Sequence, residues 1–464
     1  MFNFIYYQLL LLQLEEYDVV RFLKAFFAKP LPPKIFRKKL VFTQKILTLI
    51  SLSLLISVFL ISTIYYLLTP AHYLLFLIWY LIIFFSYLPL LLVSYFLIFP
   101  IDYLIKFLIV FFATKKIAQF PKIIIIGIAG SYGKTSFKEM LFTILSQKFN
   151  VVKTPESFNT PLGISQTILK KINQNTQIFI VEMGEYYPGD IKKICQIAKP
   201  NIAIITGINE AHLERLKTLQ NTVATIFEVA QNMEQKGLLI LNEKNELIKK
   251  HFSEFIKSQE IYLYGNQYKQ IKNVQFREDL PGYSIDFSGL CLLSVLGEYN
   301  LYNLDAIIYL TQKLKMTDEE IKESINKIKP VPHRLQPLFN RQNNILMIDD
   351  SYNGNPHGVE EAIKTLSLFK RRKIYVTPGL VEMGKKKQQV HEQIGKSLAK
   401  VADLVILTKN SVTPYIEKSL LKNNFAPEKI VTFHSGNETY AKLGKILQSG
   451  DVVLLQNDWP DNYQ

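Results

Sequence analysis

Residues 122–140, KIIIIGIAGSYGKTSFKEM, contain a short apolar run, a glycine-rich turn and the start of a helical pattern. A buried strand that ends in glycines and leads directly into a helix places backbone N–H groups around a bound anion, at the positive end of the helix. Lys134 and Thr135 follow the last glycine, as in loops where a lysine contacts phosphates and a hydroxyl binds Mg²⁺. The stretch therefore predicts a nucleotide-binding loop within an α/β fold.

The glycine spacing of this loop is unusual. Glycines lie at 127, 130 and 133, whereas the standard nucleotide loop has its first glycine where this chain has Ile128. A glycine-rich turn with a surface lysine is the alternative, but the strand before it and the helix after it favour a phosphate site. We assign phosphate and nucleotide contacts to Gly130, Ser131, Gly133, Lys134, Thr135 and Ser136.

From residue 120 onward, short apolar stretches alternate with helical patterns, which is typical of parallel sheets flanked by helices. The predicted strands are KIIIIGI, IFIVEM, NIAIITGI, GLLILN, ILMIDD, KIYVTPG, LVILT and VVLLQ. Residues 261–290 are turn-rich and predict short antiparallel segments. Because prolines interrupt residues 326–337, we predict a P-loop-type central ATPase domain at 119–330 and a C-terminal Rossmann-like α/β domain at 331–464.

The 48% hydrophobic content is high for a soluble chain, and the excess lies in residues 1–118. Two runs, from Ile46 to Leu68 and from Ala71 to Pro100, contain no Asp, Glu, Lys or Arg. Each run exceeds the roughly 20 residues that cross a bilayer as a helix. We therefore predict an N-terminal transmembrane helical hairpin, with spans at 46–68 and 71–97. Residues 1–28 and 101–118 predict interfacial amphipathic helices, or a short third span.

Basic residues flank these spans, with five of them and no acid in 29–39. Positive flanks stay in the cytoplasm, so we expect an inner (cytoplasmic) membrane protein with its catalytic domains on the cytoplasmic side. The net charge of +15 raises the alternative of nucleic acid, but membrane lipids explain a basic cluster beside a span better. Cys195 and Cys291 are far apart and predict a reduced compartment without a disulfide framework.

Several stretches from residue 120 to 464 resemble, in order, the Mur ligases, which are ATP-dependent amide ligases of peptidoglycan precursor synthesis. The GxxGxxGKT spacing of the opening loop is similar to their ATP loop. The other matching stretches are VEMGEYYPGDIKKICQIAKPNIAIITGINEAHLE (181–214), LGEYNLYNLDA (296–306), HRL (333–335), IDDSYNGNPHGVEEAI (348–363) and PGLVEMG followed by His391. Residues 1–119 have no counterpart in the resemblance.

The resemblance implies that ATP phosphorylates a carboxylate and that an amine then attacks the acyl phosphate. The signature around Asp350 favours the branch of the family that adds D-alanyl-D-alanine to a muramoyl peptide, with ATP and Mg²⁺ as cofactors. It implies that Thr135, Glu182 and His212 bind metal, and that Arg334 reaches the γ-phosphate when the domains close. The catalytic set is then Lys134, Glu182, His212 and Arg334.

Further contacts follow from the same resemblance. Asn300, Asn303 and Asp350 are assigned to the nucleotide, and the substrate-binding set is Asn159, Thr160, Tyr352, Asn353 and Asn355. Each residue has a structural alternative. Glu182 and His212 can be polar residues at a strand end and a helix start, Arg334 an exposed linker residue, Asn300 and Asn303 helix caps, and the substrate-side residues turn formers. His391 is expected to have structural value.

Two departures from the family leave questions open. Many Mur ligases have a carbamylated lysine that orients Mg²⁺, and its position here is Ile226, so either Glu228 or water substitutes or the metal is held more weakly. Membrane helices replace the usual UDP-sugar domain. The alternatives are therefore a ligase for a lipid-linked or polymeric acceptor of the poly-γ-glutamate type, or a non-enzymatic ATP-binding membrane scaffold. The oligomeric state is not predicted.

Overall fold

The computed structural model describes residues 2–28, 39–67, 87–155, 158–209, 213–352, 354–380 and 383–456. Its internal contacts divide the chain into two compact units, one formed by residues up to Leu108 and the other beginning at Ile109.

The first unit consists of apolar helices. Its elements are α1 (Phe2–Leu14), α2 (Val19–Ala28), α3 (Gln44–Leu67) and the first two thirds of α4 (Tyr87–Ala118). Side chains of these helices form an apolar cluster that includes Leu11, Phe22 and Leu91. Of the residues that the structure describes, one helix, α4, is long and apolar enough to cross a membrane by length and composition.

The predicted second span, 71–97, is described only from Tyr87 onward, so it stays a prediction. Residues 68–86 lie outside the described part of the chain, and α4 begins at Tyr87 and continues through Pro100 to Ala118. Residues 101–118 are therefore part of this helix and not a separate interfacial helix. Pro100 removes one backbone donor but does not end the helix, and Asp102 is neutralised by Lys45 and Lys106, each 2.8 Å away.

The second unit contains a parallel six-stranded sheet in the order β2-β3-β1-β4-β5-β6. Its strands are β1 (Ile124–Ala129), β2 (Val151–Lys153), β3 (Ile178–Glu182), β4 (Ile202–Ile205), β5 (Leu238–Asn242) and β6 (Glu260–Tyr264). The helices that follow these strands are α5 (Lys134–Leu145), α6 (Pro161–Lys171), α7 (Asp190–Ile197), α8 (Leu213–Leu216), α9 (Leu219–Asn232) and α10 (Glu246–Phe255). Because β1 lies between β3 and β4, the chain reverses direction across the sheet beside β1, which is where ligand crevices form in α/β folds.

A small antiparallel sheet follows, made of β7 (Lys272–Arg277), β8 (Gly282–Asp286) and β9 (Leu290–Leu293). The antiparallel prediction for residues 261–290 is thus partly wrong, because its first residues form β6 and pair in parallel with β5. Two helices, α11 (Glu298–Lys313) and α12 (Asp318–Ile325), then lead to the C-terminal sheet. Side chains of α11, including Leu304 and Ile307, pack in the same core cluster as Ile126 and Ile128 of β1.

The C-terminal sheet has the order β10-β11-β15-β12-β13-β14 and is parallel except for its edge strand β10. Its strands are β10 (Gln336–Asn340), β11 (Ile345–Asp350), β12 (Lys373–Thr377), β13 (Leu404–Thr408), β14 (Ile430–Phe433) and β15 (Val452–Gln456). Its helices are α13 (Pro356–Ser367), α14 (Lys387–Leu398), α15 (Thr413–Lys422) and α16 (Gly436–Ile446). The predicted mixed α/β fold with parallel sheets is confirmed, and every predicted strand is present.

The last turns of α4 belong to the core of the second unit. Ala113 is fully buried, Ile117 is nearly so, and both pack in the cluster that contains Ile123 and Ile164. The Lys116 ammonium donates a 2.8 Å hydrogen bond to the Leu169 carbonyl at the end of α6. Residues 109–118 are therefore part of the folding unit that holds the phosphate loop.

A fragment that begins at Ile109 should therefore fold as stably as the unit in the intact chain, whereas one that begins at Gln119 should unfold at a lower temperature. Removing the last turns of α4 uncovers core surface, and burying one large aliphatic side chain stabilises a protein by about 1.5–3 kcal/mol. Thermal unfolding of the two fragments, followed by circular dichroism, checks this. Equal unfolding temperatures would show that these turns contribute nothing.

Candidate active site

The glycine-rich loop joins β1 to α5 at the carboxyl edge of the central sheet. Gly130 has φ +139°, and a Cβ there would lie 2.4 Å from the Thr206 hydroxyl oxygen, so the loop passes too close to β4 for any side chain. Gly133 has φ +80° and caps the start of α5. The Ser131 N–H donates to the Gly207 carbonyl at 2.7 Å. Glycine is thus required at these loop positions, because the backbone has positive φ and, at Gly130, lies close to the residues that follow β4.

Glu182 ends β3 beside this loop. It is 2% exposed, and one carboxylate oxygen lies 2.9 Å from the Lys138 ammonium and accepts a 3.1 Å hydrogen bond from the Thr135 hydroxyl. The other oxygen faces the Asn159 amide nitrogen at 3.5 Å. Thr135, Glu182 and Asn159, which the sequence assigned separately to metal and substrate, therefore lie together.

Lys134, the loop lysine, pairs with a carboxylate that the sequence interpretation missed. Its ammonium donates to both oxygens of Glu185, at 2.9 and 3.2 Å, and to the Gly130 carbonyl. The Lys134 side chain is 12% exposed and that of Glu185 is 1% exposed. Burial raises the pKa of Glu185, and the neighbouring Lys134 charge opposes that rise.

The donor set at the loop suits Mg²⁺, which prefers hard oxygen ligands such as the Thr135 hydroxyl and the Glu182 carboxylate. His212, the third predicted ligand, lies outside the described residues, as does Asn353. Among the residues that are described, no group of three His, Cys, Asp or Glu side chains forms a metal cluster. Thr135 and Glu182 are thus the described part of the candidate magnesium site.

The substitute suggested for the missing carbamate, Glu228, does not lie in this site. Its two carboxylate oxygens accept hydrogen bonds from the N–H groups of Gly189 and Lys192, at 2.7 and 2.9 Å, and so cap the start of α7. Ile226 is fully buried in the apolar cluster that contains Val181 and Ile205. The idea that Glu228 replaces the carbamate is therefore wrong, because helix capping already uses both of its oxygens.

Turnover should accordingly be independent of dissolved bicarbonate, since an isoleucine in an apolar core can neither be carbamylated nor bind a metal. Initial rates in CO₂-free buffer, with and without added bicarbonate, check this. A reversible loss of activity on depletion would show that a lysine elsewhere carries the carbamate. Ile226→Lys should mainly destabilise the fold, because it buries an ammonium among apolar side chains.

On the C-terminal side, Arg334 and Asp350 lie next to a short strained segment. His333 and Leu335 have φ values of +60° and +45°, in the left-handed region that non-glycine residues rarely adopt. The Arg334 guanidinium lies 4.6 Å from the centre of the Tyr352 ring, and the Leu335 N–H donates to Asp350 at 3.2 Å. Arg334, Tyr352 and Asp350, which the sequence analysis assigned separately to phosphate, substrate and nucleotide, are therefore brought together.

The buried position of Asp350 lowers the stability of the folded protein. Burial raises its pKa to about 6, Asp349 adds to the rise, and the Leu335 N–H and Arg334 oppose it. Because this pKa lies above that of an unfolded aspartate, about 3.9, the free energy of unfolding falls as pH rises through this window and stays low above it.

Asp350→Asn should therefore stabilise the protein at about pH 8, by at most about 3 kcal/mol, and leave its stability unchanged near pH 4. The asparagine oxygen still accepts the Leu335 N–H but carries no charge. Urea unfolding of both proteins at both pH values measures the difference. A gain of equal size at both pH values would mean that the Asp350 charge is not its source.

Loop residues beside the central sheet contact the start of α13 in the C-terminal part. The Tyr132 ring of the phosphate loop stacks on His357, with centroids 5.9 Å apart, and the Asn209 amide faces the Asn355 oxygen at 3.4 Å. Tyr299 at the start of α11 lies between the two sides. Its pKa is raised to about 12, first by burial and also by Asp350, while Arg334 and hydrogen bonds with Asn300 and Ser136 oppose the rise.

Several predicted residues also have clear structural contacts. Thr160 and Asn355 cap α6 and α13 by accepting the N–H groups of Gly163 and Gly358. The Asn300 amide donates to the Leu296 carbonyl at 2.7 Å, and its buried side-chain oxygen has no hydrogen-bond partner among the described residues.

Two further buried residues continue this pattern. Asn303 is 3.5 Å from the Tyr264 hydroxyl, and His391 accepts the Leu380 N–H at 2.9 Å. Burial lowers the pKa of His391, in keeping with a structural role. Cys195 and Cys291 are buried and not paired with each other.

Lys138 and Glu185 are the site residues that sequence reasoning missed. Lys138 is fully buried and lies one helical turn after Lys134, so its i+4 spacing was a usable signal. Glu185 lies three residues beyond the end of β3, where strand periodicity no longer predicts orientation. Its pairing with Lys134 depends on the path of the loop.

Two protein-family models match the second unit. The Mur ligase middle domain matches residues 128–311, and the Mur ligase glutamate ligase domain matches residues 333–456. Residues before 128 lie outside both matches. The described loop, Thr135, Glu182 and Asn300 fall in the first match, and Arg334, Asp350 and Asn355 fall in the second.

Similar proteins of known name are UDP-N-acetylmuramoyl-tripeptide–D-alanyl-D-alanine ligases. That of Bacillus subtilis is 24% identical over 339 residues, covering 72% of either chain. That of Buchnera aphidicola from Acyrthosiphon pisum is 28% identical over 350 residues, covering 70% of this chain and 76% of the relative. A solved MurF ligase from Thermotoga maritima in complex with ADP has a TM-score of 0.66 at 24% identity, covering 76% of this chain and 80% of that one.

Proposed function

The chain belongs to the Mur ligase family of ATP- and Mg²⁺-dependent ligases, and we propose that it joins D-alanyl-D-alanine to a muramoyl tripeptide. The observation that carries the proposal is the phosphate loop at the carboxyl edge of the central sheet. There Thr135 lies 3.1 Å from Glu182, and the loop tyrosine, Tyr132, stacks on His357 at the start of α13. The shared name of the relatives supports the choice of substrates.

The proposed reaction has two steps. A carboxylate oxygen of the tripeptide attacks the γ-phosphorus of ATP, which forms an acyl phosphate and releases ADP. The amine of D-alanyl-D-alanine then attacks the acyl carbon, loses a proton, and expels inorganic phosphate as the amide forms. Both steps develop negative charge on oxygens, so the site must supply cations and N–H donors.

The described residues can meet this need from both sheets. Lys134 and the backbone N–H groups at the start of α5 would hold the phosphates. Thr135 and Glu182 would hold Mg²⁺, which screens the phosphate charge when bound. Arg334 would approach the γ-phosphate from the C-terminal side, held there by Tyr352.

The remaining assignments divide the second unit by role. We assign most nucleotide contacts, including that of Asn303, to residues 119–330. Residues 331–464 complete the site and add Asp350 to the nucleotide contacts. Asn159 is the best supported substrate residue, since its amide faces the Glu182 carboxylate and its oxygen accepts from the Tyr186 hydroxyl at 3.4 Å. The cap residues Thr160 and Asn355 would place backbone N–H groups at the same site.

The test is a reconstituted reaction with the full chain, ATP, Mg²⁺, UDP-muramoyl tripeptide and D-alanyl-D-alanine. ADP release should require both the peptide and the dipeptide, and a pentapeptide product should form. Replacing the dipeptide with L-alanyl-L-alanine should abolish the coupled release. ADP release that is indifferent to both partners would instead support an ATP-binding scaffold.

A second acceptor is favoured by the apolar N-terminal helices. Helix α4 is 32 residues long, and residues before 128 match neither family model. Membrane attachment through these helices would place the second unit beside membrane lipids and raise the effective concentration of a lipid-linked muramoyl peptide.

Rates for the full chain and the fragment from Ile109, each with a soluble and a vesicle-borne acceptor, distinguish the two cases. A lipid-linked substrate predicts that the full chain uses the vesicle-borne acceptor far better than the fragment does. If both proteins use the soluble acceptor equally well, and faster than either uses the vesicle-borne acceptor, a lipid-linked substrate is excluded.

A further inference from the structure

The phosphate-loop lysine, Lys134, pairs with a buried carboxylate of the same chain. The Lys134 ammonium lies 2.9 and 3.2 Å from the two oxygens of Glu185, and both side chains are nearly or fully buried. In the described part of the chain, Glu185 is the only carboxylate that pairs with Lys134. A buried ammonium is costly without a counter-ion, so Glu185 stabilises the nucleotide-free loop.

A second ion pair lies beside the first. Lys138, one turn further along α5, pairs with Glu182 at 2.9 Å, and Glu182 also accepts from Thr135. The two lysines of α5 therefore form ion pairs with two glutamates, and the four charges sum to zero. The Lys138 ammonium already supplies a cation to Glu182, which leaves Glu185 as the partner of Lys134 alone.

Glu185 is held in place from both sides by one residue. The N–H of Gly184 donates to the Asn159 carbonyl at 2.8 Å, and the Tyr186 hydroxyl donates to the Asn159 side-chain oxygen at 3.4 Å. A Cβ on Gly184 would lie 2.9 Å from Asn159, so the segment has little freedom to move. The carboxylate is thus aimed at Lys134 by a packed loop.

We propose that Glu185 is a positioning residue that occupies Lys134 in the nucleotide-free loop and competes with the phosphates of ATP for it. The inference rests on the proposed function, because it takes Lys134 to be a phosphate ligand. Nucleotide must separate or share the Lys134–Glu185 pair when it binds, and part of its interaction energy offsets that loss. The chain therefore binds nucleotide more weakly than its loop alone would allow.

The direction of the effect separates this role from two others. Loss of a competitor strengthens nucleotide binding, because Lys134 then gains its only anionic partner from the phosphates. If Glu185 instead bound Mg²⁺ in place of the carbamate that Ile226 cannot form, its loss would weaken Mg²⁺-dependent binding of the nucleotide. General damage to the loop also weakens it.

The experiment measures binding of the non-hydrolysable ATP analogue AMP-PNP with Mg²⁺ to the full chain by calorimetry. Glu185→Gln should lower the Kd by about tenfold, and Glu185→Asp, which keeps the charge on a shorter side chain, should fall between it and the wild type. Glu260→Gln is the matched control, since Glu260 pairs with Lys313 at the other end of the sheet. It should leave the Kd unchanged.

Thermal unfolding provides a second readout. Nucleotide-free Glu185→Gln should unfold at a lower temperature than the wild type, and saturating AMP-PNP should restore most of the difference. If Glu185→Gln does not fold, the Glu185→Asp Kd decides the question. If the wild type binds AMP-PNP and the folded Glu185 variants have an unchanged or higher Kd, this inference is overturned and the proposed function is not. Failure of the wild type to bind AMP-PNP overturns the proposed function as well.

Discussion

Replacing Lys134 with alanine should lower the turnover number by at least about a hundredfold to a thousandfold, the usual loss when one donor to a transition-state oxyanion is removed. Lys134 is the cation of the phosphate loop, and the charge on the transferring phosphoryl group develops there. Its loss cannot be compensated by Lys138, which is fully buried against Glu182.

The control for this variant must show that the protein is intact, since Lys134→Ala leaves Glu185 buried without its cation. The double variant Lys134→Ala, Glu185→Gln removes both charges and should fold more stably yet remain inactive. Lys313→Ala removes an ion-paired surface lysine and should keep full activity. Phosphate release near the wild-type rate from a folded Lys134→Ala protein would refute the phosphate-loop assignment.

Replacing Arg334 with alanine should lower the turnover number by about a thousandfold or more, in the range seen when an arginine that stabilises a transferring phosphoryl group is lost. The affinity for AMP-PNP should change much less, because the loop and α5 hold the nucleotide. Arg334 lies on the C-terminal side, over Tyr352, so its contribution requires the two sheets to be correctly placed.

Steady-state rates and AMP-PNP affinity, measured on the same preparation, separate these effects. Arg341→Ala, which changes an exposed arginine between β10 and β11, is the control. Arg334→Lys should not restore the rate, because an ammonium lacks the planar pair of donors. Equal losses of affinity and rate would mean that Arg334 simply helps to bind nucleotide.

The sequence predicted the parallel sheets well because buried parallel strands are continuous apolar runs bounded by turns. Ile124–Ala129 and Ile178–Glu182 show this pattern and were placed within one or two residues of their bounds. It missed β2, a three-residue strand, and also β10 and β14, since their short runs carry little periodic signal.

The N-terminal prediction differs from the structure after residue 97. We predicted a separate interfacial helix or a short third span at 101–118, whereas α4 continues through Pro100 to Ala118. A helix that is apolar all round has no periodicity that distinguishes a membrane segment from core packing. Only the buried contacts of Ala113 and Ile117 assign its last turns to the second unit.

Within the site, the glycine loop and the Glu182 and Thr135 pair could be read from motif order, but their partners could not. Lys138 and Glu185 become site residues because α5 contacts the end of β3 and the segment after it, which is a tertiary relation. Thr160 and Asn355, by contrast, could be predicted from the sequence in both roles, because each lies in a family motif and also caps a helix.

The central claim is that ATP activates the tripeptide carboxylate as an acyl phosphate, and one isotope measurement tests it directly. The reaction is run to completion with a muramoyl tripeptide whose terminal carboxylate carries ¹⁸O in both oxygens, and product and phosphate are analysed by mass spectrometry. The account predicts one amide product and one ¹⁸O-labelled phosphate for each ADP formed. Amide product with unlabelled phosphate, or ADP formed without amide, would contradict it.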